Sequence, residues 1–303
     1  MLEESVEAES PLSNRRFLGR TLLELRNQTK PKLTRAQVAK QTDVSSSTLG
    51  RIENGELGVK IRQGDLRDLL KLYGASDADQ DLVLGLGTAI RNSATAPWWL
   101  DQMQDIPDWF TERVALEEAA QRIREYAAEN VIGLLQTEAY ARALIFLATG
   151  GDETKTNAKV KIRMERAKLL DQPQPPKLEV ILNESVLHRI AGSGDLAREQ
   201  LQHLLDVTQR SNVTLTLLPY SAGIHGGMAA AVGFSILNFP VDSITKEPRE
   251  PTYVYFDSLT GSMSFTKDIE VQAYDRAWQD MASKAENPQA TRLAITKLLD
   301  GLH

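Results

Sequence analysis

A short polar stretch, residues 45–55 with the sequence SSSTLGRIENG, carries the side chains best suited to bind another molecule. Serine hydroxyls donate and accept hydrogen bonds, and the guanidinium of Arg51 can bond two acceptors at once. On a helix, Ser46, Ser47, Gly50 and Arg51 are expected to face outward when the apolar residues between them face a core. This chemistry suits hydrogen bonding to the edges of nucleic-acid bases, where arginine pairs well with guanine.

A second polar group lies in the glycine-rich segment 218–228, LPYSAGIHGGM. Its glycines suit a plain hairpin connection between two strands, but His225, with Tyr220 and Ser221 nearby, could also contact a ligand or a partner protein. A hydrolytic site would need a third group that orients the base, and no residue has the matching spacing. Tyr220 and His225 are therefore candidates for a ligand or partner loop, and no catalytic residue is predicted.

The composition excludes several kinds of site. The 303 residues include no cysteine, so disulfides, thiolate metal ligands and cysteine nucleophiles are excluded. The four histidines show no metal-ligand spacing. No apolar run reaches the length of a membrane span, and the acidic N-terminus lacks the apolar stretch of a signal peptide. We expect a cytoplasmic, nucleoid-associated protein without enzyme activity, cofactor or metal, in which residues 1–12 form a disordered acidic tail.

Two short helices joined by a tight turn must position the polar stretch. Thr34 can cap the first helix and Ser45 the second, because their hydroxyls accept hydrogen bonds from free amides of the first turn. Leu49 and Ile52 are three residues apart and share the core face, and Gly55 ends the second helix. This spacing predicts a helix-turn-helix, whose second helix fits a DNA major groove. The alternative is a plain helical hairpin inside a larger bundle.

The charge is distributed unevenly along the chain. Residues 13–74 hold thirteen Lys and Arg against six Asp and Glu, a net charge of +7, although the whole chain has a net charge of −6. Basic charge concentrated in one domain is the electrostatic signature of phosphate binding. We expect phosphate contacts from the basic or polar side chains around the two helices, namely Thr34, Arg35, Lys40 and Lys60.

The segment 13–75 resembles the Xre-type helix-turn-helix family of phage and bacterial repressors. The resemblance rests on LELR at 23–26, LTRAQVA at 33–39, IENG at 52–55 and LLKLYG at 69–74. It implies an all-α, lambda-repressor-like domain that binds double-stranded DNA. It also implies a structural pair between Arg26 and Glu53. Arg35 occupies a position where the family commonly has glutamine.

Beyond residue 75 the pattern predicts a helix at 76–94, either a connector or the last helix of the DNA-binding domain. An aromatic segment at 93–110 contains three tryptophans and is expected to pack on the second domain or to contact a ligand. Residues 95–303 alternate between helical and strand patterns, which predicts an α+β multidomain protein with a small mixed sheet. Helices are predicted at 116–130, 137–150, 154–172, 184–190, 196–211 and 268–285, and strands within 177–185, 212–220, 230–239 and 251–257. Arg163 and Arg166 are expected on a solvated or paired helix face.

Several segments in this order, APWWLD, IPDWF, GLLQTEAYARAL, VILNESVLHR and NVTLTLLPYSAGIHGGM, resemble the actinobacterial regulators related to WhiJ. The resemblance covers almost the whole chain. It implies an antitoxin-like DNA-binding regulator whose gene lies beside that of a small partner protein. Two departures are an almost uncharged segment at 91–97 and an individual recognition helix, SSSTLGR, so no operator sequence is implied.

Together these patterns favour a sequence-specific transcriptional regulator. We expect a homodimer on a palindromic operator, with a C-terminal domain that binds a small protein or a small-molecule effector. The alternative is an antitoxin-like protein that mainly neutralises its small partner and binds DNA to regulate itself. An enzyme that the N-terminal domain anchors to DNA is the third hypothesis.

Overall fold

The computed structural model describes residues 11–56, 58–92, 108–192, 194–241, 248, 250–258 and 261–302. The chain divides into two compact units, residues 1–102 with 240–250 and residues 103–239 with 251–303. No helix among the described residues combines the length and apolar character needed to cross a membrane.

Two predicted segments lie largely outside the described residues. They are the acidic tail, of which 1–10 is not described, and the aromatic segment, of which 93–107 is not described. Residues 11 and 12 were predicted to belong to the tail but start the first helix.

The first unit is helical throughout its regular elements. The described helices are α1 (Pro11–Gln28), α2 (Arg35–Ala39), α3 (Ser46–Glu53), α4 (Gln63–Tyr73) and α5 (Asp77–Asn92). Their apolar side chains form one core, which includes Leu18, Leu49 and Leu66 at complete burial. Leu82 and Val83 of α5 belong to the same core, so α5 is built into this unit rather than standing apart as a spacer.

The ends of α2 and α3 have the hydrogen bonds that the sequence predicted. The Thr34 hydroxyl accepts a hydrogen bond from the Gln37 amide, and the Gln37 side chain bonds the Thr34 amide in return. The Ser45 hydroxyl accepts one from the Thr48 amide at 3.0 Å. Gly55 has φ +67°, which lets the chain reverse directly after α3. The helix-turn-helix geometry is therefore set by local residues at both ends of each helix.

A close approach of backbones places α1 against α3. Gly19 of α1 lies so near α3 that a Cβ at this position would stand 2.4 Å from the Ile52 carbonyl oxygen and 2.7 Å from that of Glu53. Only glycine allows this spacing between the two helices. The position of α3, and of every side chain on its outer face, thus depends on residue 19.

The second unit contains a six-stranded mixed sheet in the described residues. Its strands are β1 (Arg122–Ala127), β2 (Lys177–Asn183), β3 (Val213–Leu218), β4 (Phe234–Asn238), β5 (Tyr253–Asp257) and β6 (Ser262–Phe265), in the order β3-β2-β1-β4-β5-β6. The three strands β1, β2 and β3 run parallel, and the others pair antiparallel. Its described helices are α6 (Asp108–Ala119), α7 (Glu138–Ala148), α8 (Glu153–Ala167), α9 (Glu184–Ala191), α10 (Asp195–Val207), α11 (Gly226–Ala230), α12 (Asp268–Lys284) and α13 (Pro288–Asp300).

Both faces of the sheet are covered, which gives the unit two apolar layers. One layer contains Ile123 of β1 and Val180 of β2 together with residues of α9, α10 and α13. The other contains Tyr126 and Phe234 with Trp278 of α12. This arrangement confirms the predicted α+β class, and the four predicted strand segments contain β2, β3, β4 and β5.

Two sequence predictions in this unit are wrong. Residues 122–127, predicted as part of a helix at 116–130, form the central strand β1, because burial between β2 and β4 outweighs the local helix preference of Arg, Glu and Ala. The glycine-rich segment 218–228 is not a hairpin connection. It links β3 to β4 across the two intervening strands and contains the short helix α11.

We predict opposite effects from the same substitution at two helical glycines. Gly19→Ala should destabilise the protein by about 1–3 kcal/mol, because its methyl group would meet the α3 backbone. Gly85→Ala on α5 should stabilise it by about 0.5–1 kcal/mol, because Gly85 is exposed with nothing within 4 Å of an added Cβ. Urea unfolding followed by circular dichroism measures both, and equal midpoints for the two variants would contradict the close approach.

Candidate DNA-binding surface and C-terminal cavity

The outer face of α3 carries the side chains that the sequence predicted to read bases. Ser46, Ser47 and Arg51 are exposed. Gly50, which was predicted to face outward with them, is buried instead, and a Cβ there would stand 3.1 Å from Nη1 of Arg35. The two serine hydroxyls and the Arg51 guanidinium therefore remain as the open polar groups among the predicted residues. The Arg35 side chain lies against α3 at Gly50.

Arg51 already has a partner on this surface. Its Nε donates a hydrogen bond to Oε2 of Glu56 at 2.9 Å, and both side chains are about half exposed, at 51% and 44%. Because the pair is solvated, it contributes little to stability. Its effect is to orient the guanidinium and to place a carboxylate beside the group expected to meet DNA.

A buried carboxylate beneath α3 joins three helices. Glu53, whose side chain is 1% exposed, accepts hydrogen bonds from Nε of Arg26 at 2.6 Å and from Nε of Arg35 at 2.6 Å. Nη2 of Arg26 bonds the second oxygen of the carboxylate at 3.0 Å, and Nη1 bonds the Leu33 carbonyl. The bond to Glu53 raises the pKa of Arg26 above its ordinary value. The carboxylate thus ties α1 and α2 to α3.

The four residues predicted to contact phosphates differ in the exposure of their side chains and in the partners that these side chains already have. Lys40 and Lys60 are exposed. Thr34 is exposed as well, but its hydroxyl takes part in the cap of α2. Arg35 directs its Nε at Glu53, with a side chain that is 40% exposed. The two lysines are therefore the freest candidates, and Arg35 combines a structural role with any contact to DNA.

Tyr220 and His225 stand at two separate positions of their loop. The Tyr220 ring is exposed, stacks on His188 with a centroid distance of 5.8 Å, and its amide donates to Glu184. His225 precedes α11 and packs edge-on against Tyr126 at 6.0 Å. Burial lowers the pKa of His225, so its ring is neutral at pH 7. The structure does not join the two side chains in one site.

A cavity of about 580 Å³ lies in the second unit, and no pattern in the sequence predicted it. Its polar lining includes Arg113, Glu125, Arg163, Arg166 and Asp257, from α6, α8 and the strands β1 and β5. Arg163 and Arg166 were expected on a solvated or paired face, and the structure buries Arg166 at 4% side-chain exposure against a carboxylate.

That carboxylate belongs to Glu117, which is buried beneath the cavity. Arg166 bonds it through Nε at 2.5 Å and Nη2 at 2.6 Å, and Arg113 bonds it through Nε at 2.9 Å. Burial alone would raise the pKa of the Glu117 carboxyl, but Arg166 and Arg113 outweigh this and hold it below its ordinary value of 4.5. Arg113 also contacts Asp257 at 2.5 Å. The network fixes α6, α8 and β5 around the cavity.

Apart from the i, i+4 pair of Arg113 and Glu117 on α6, no local pattern could have revealed this network. Glu117 and Arg166 are 49 residues apart, and Arg113 and Asp257 are 144 apart. The nearest signal was the spacing of Lys159, Arg163 and Arg166, which places them on one side of α8. That spacing does not distinguish a cavity wall from a solvated face.

We predict that the Glu117 network stabilises the second unit. Glu117→Gln should destabilise it by about 3–5 kcal/mol, because Arg113 and Arg166 would lose a buried counter-charge. Glu138→Gln, which breaks an exposed pair with Arg142, should cost less than about 1 kcal/mol and is the matched control. Chemical unfolding of the three proteins measures both effects, and an equally small effect of the two variants would contradict this role.

The Glu117 network also predicts how the stability of the second unit depends on pH. Because the pKa of Glu117 is lower in the folded protein than in the unfolded chain, its contribution is complete above the ordinary value of 4.5 and is lost as the pH falls through the folded value. The stability difference between the wild type and Glu117→Gln should therefore be constant near neutral pH and shrink below about pH 4.5. Unfolding curves at a series of pH values test this, and a difference that grows in acid would contradict it.

Comparison with known protein families supports the division into two parts. The model of a helix-turn-helix domain matches residues 18–83. The model of the domain of unknown function DUF5753 matches residues 110–297, which is more than half of the chain. No curated protein and no solved structure shows a significant match. The chain therefore belongs to the DUF5753 family and carries a helix-turn-helix domain before its family domain.

Proposed function

We propose that this protein is a sequence-specific transcriptional regulator that binds double-stranded DNA through α3. The observation that carries the proposal is the outer face of α3, where Ser46, Ser47 and Arg51 are exposed on a domain with a net charge of +7. Serine hydroxyls and an arginine fork match the hydrogen-bonding groups of the major groove. Lys40 and Lys60, which are also exposed, would contact phosphates and set the register of the domain on DNA.

A homodimer is part of the proposal. One α3 with two serines and one arginine offers few direct base contacts, so a single copy would discriminate weakly between sequences. Two copies related by a two-fold axis would contact half-sites about one helical turn, or roughly 34–36 Å, apart on a palindromic operator. We infer a cytoplasmic location for such a regulator. We also infer that the second unit modulates DNA binding and has no catalytic role.

A second candidate function is binding and neutralisation of a small partner protein, in the manner of an antitoxin. The loop around α11 favours it, because Tyr220, Ile224 and Met228 are large apolar side chains that are mostly exposed there. Exposed apolar groups close together are typical of protein interaction sites. DNA binding would then serve autoregulation.

A gel-shift assay with the DNA upstream of the protein's own gene separates these functions. A regulator should shift this DNA at low salt, with a stoichiometry of two chains per site. Release of the DNA on addition of the protein encoded next to the gene would support control through the second unit. The absence of any shift at low salt would overturn the first proposal.

We predict that Arg51→Ala changes the sequence preference of the protein. It should reduce operator affinity by about 1–3 kcal/mol and relax the preference at one base pair, because the guanidinium is expected to bond a guanine edge. Arg67→Ala on α4, another exposed arginine outside α3, is the control and should leave the preference unchanged. Titration of operators substituted at each base measures this. Equal weakening on all sequences would instead make Arg51 a phosphate contact.

We predict that substitution of Glu56, the partner of Arg51, changes DNA affinity in the opposite direction. Glu56→Gln should strengthen DNA binding several-fold at low salt, because it releases the guanidinium of Arg51 and removes a negative charge beside it. The gain should shrink as salt is added, since exposed charges are screened. Binding measured at two salt concentrations tests this, and weaker binding of Glu56→Gln would show that the ion pair is needed to orient Arg51.

A further inference from the structure

The cavity of the second unit has the size of a small-molecule site. Its volume of about 580 Å³ lies within the range of roughly 300–1,000 Å³ that is usual for such sites. Its apolar lining includes Ile132, Ile145, Ile162 and Tyr255, each at most 7% exposed. The three isoleucines and the aromatic ring form walls suited to a flat or branched apolar body.

One arginine of the cavity wall, Arg163, has no ion-pair partner among the carboxylates that the structure describes. Glu117 forms ion pairs with both Arg113 and Arg166, and Asp257 also forms an ion pair with Arg113. Arg163 lies on the cavity wall, and its Nη1 donates to Oε1 of Gln136 at 2.6 Å. Among the residues that the structure describes, no carboxylate forms an ion pair with Arg163. Its guanidinium therefore retains donors for a group that enters the cavity.

The charge state of Arg163 agrees with such a role. Burial lowers the pKa of Arg163 to about 10, and the neighbouring Arg166 and Arg113 add to this effect. At neutral pH the side chain still carries its positive charge, but in a site where that charge is poorly compensated. An anion bound here would offset both the cost of burying this charge and its repulsion by the other two arginines. Lys159, one helical turn earlier on α8, also lines the cavity and is exposed.

One carboxylate oxygen of Glu125, which lines the cavity, lacks a hydrogen-bond partner. Oε2 of Glu125 is buried and has no hydrogen bond, whereas Oε1 accepts from Arg113 at 3.3 Å. Buried polar atoms are normally satisfied, so an orphaned one beside a cavity indicates a missing hydrogen-bonding group. A hydroxyl or amine of a ligand would fill this position.

One wall of the cavity continues into the loop that the sequence singled out. Ala231, Val232 and Gly233 line the cavity directly after α11. Ala231 has φ +62°, a left-handed conformation that costs a non-glycine residue free energy and that is enriched at functional sites. Val232 is 40% exposed, so the segment has both a cavity side and a solvent side. A ligand in the cavity would therefore contact the same segment that carries the exposed loop.

We propose that the cavity binds a small organic acid. Its anionic group, a carboxylate or another small oxyanion, pairs with Arg163 and Lys159. Its apolar body packs on Ile132 and Tyr255, and a polar substituent bonds Glu125. The inference deepens the proposed function, since it supplies the chemical class of the effector, but binding of the acid does not itself require DNA.

Two fluorescent probes with the same aromatic body test this proposal on the full-length protein. 1-Anilinonaphthalene-8-sulfonate is an anion, and N-phenyl-1-naphthylamine is its uncharged counterpart. The wild type should bind the anion at one saturable site. Arg163→Gln should weaken anion binding by about tenfold or more, because it removes a charged hydrogen-bond donor. Arg163→Lys should retain most of the anion affinity, and the affinity for the neutral probe should stay the same in all three proteins.

Exposed lysines on α8 give a second comparison that does not disturb the buried network. Lys159→Gln should reduce anion affinity about two- to threefold, and Lys161→Gln, an exposed lysine of the same helix outside the cavity lining, should not change it. Unchanged anion binding in both Arg163→Gln and Lys159→Gln would overturn the proposal. Equal losses for the two probes would also overturn it. Saturable anion binding by a protein that shifts no DNA would sustain this inference and overturn only the proposed function.

Discussion

A buried glutamate between two arginines is the interaction on which each unit depends. In the first unit Glu53 of α3 bonds Arg26 of α1 and Arg35 of α2, and in the second Glu117 of α6 bonds Arg113 of α6 and Arg166 of α8. A carboxylate removed from water is costly unless it is paired and hydrogen-bonded. Each glutamate therefore requires its arginines within hydrogen-bonding distance and correctly oriented. This requirement restricts the relative positions of the helices that carry these residues.

The pair in the first unit determines how α3 faces solvent. Because Glu53 points inward to Arg26, the helix presents Ser46, Ser47 and Arg51 on the opposite side. Gly19 lets α1 approach α3 closely enough for this bond to form. The surface expected to meet DNA is thus a consequence of a buried contact beneath it.

The network in the second unit determines which charge remains available. Glu117 pairs with Arg113 and Arg166, whereas Arg163, on the same helix as Arg166, donates a hydrogen bond to the neutral side chain of Gln136. Arg113 and Arg166 of this network also line the cavity, together with Arg163. The same residues therefore form part of its wall and supply part of its charge.

The sequence by itself determined the elements whose signals are local. The caps Thr34 and Ser45, the terminating Gly55 and the spacing of Leu49 and Ile52 each involve residues a few positions apart, so the helix-turn-helix could be read directly. Four strand segments could be read for the same reason, since alternation and β-branched residues are local properties.

Only the tertiary structure decided β1, the connection after β3, and the cavity. RIREYA at 122–127 has residues that favour a helix, and it becomes a strand because two neighbouring strands supply its hydrogen bonds and its burial. Glu117 meets Arg166 from 49 positions away, and Gly50 becomes buried because Arg35 folds over it. Contacts between distant residues decide these features, and their free energy has no counterpart in the local pattern of the chain.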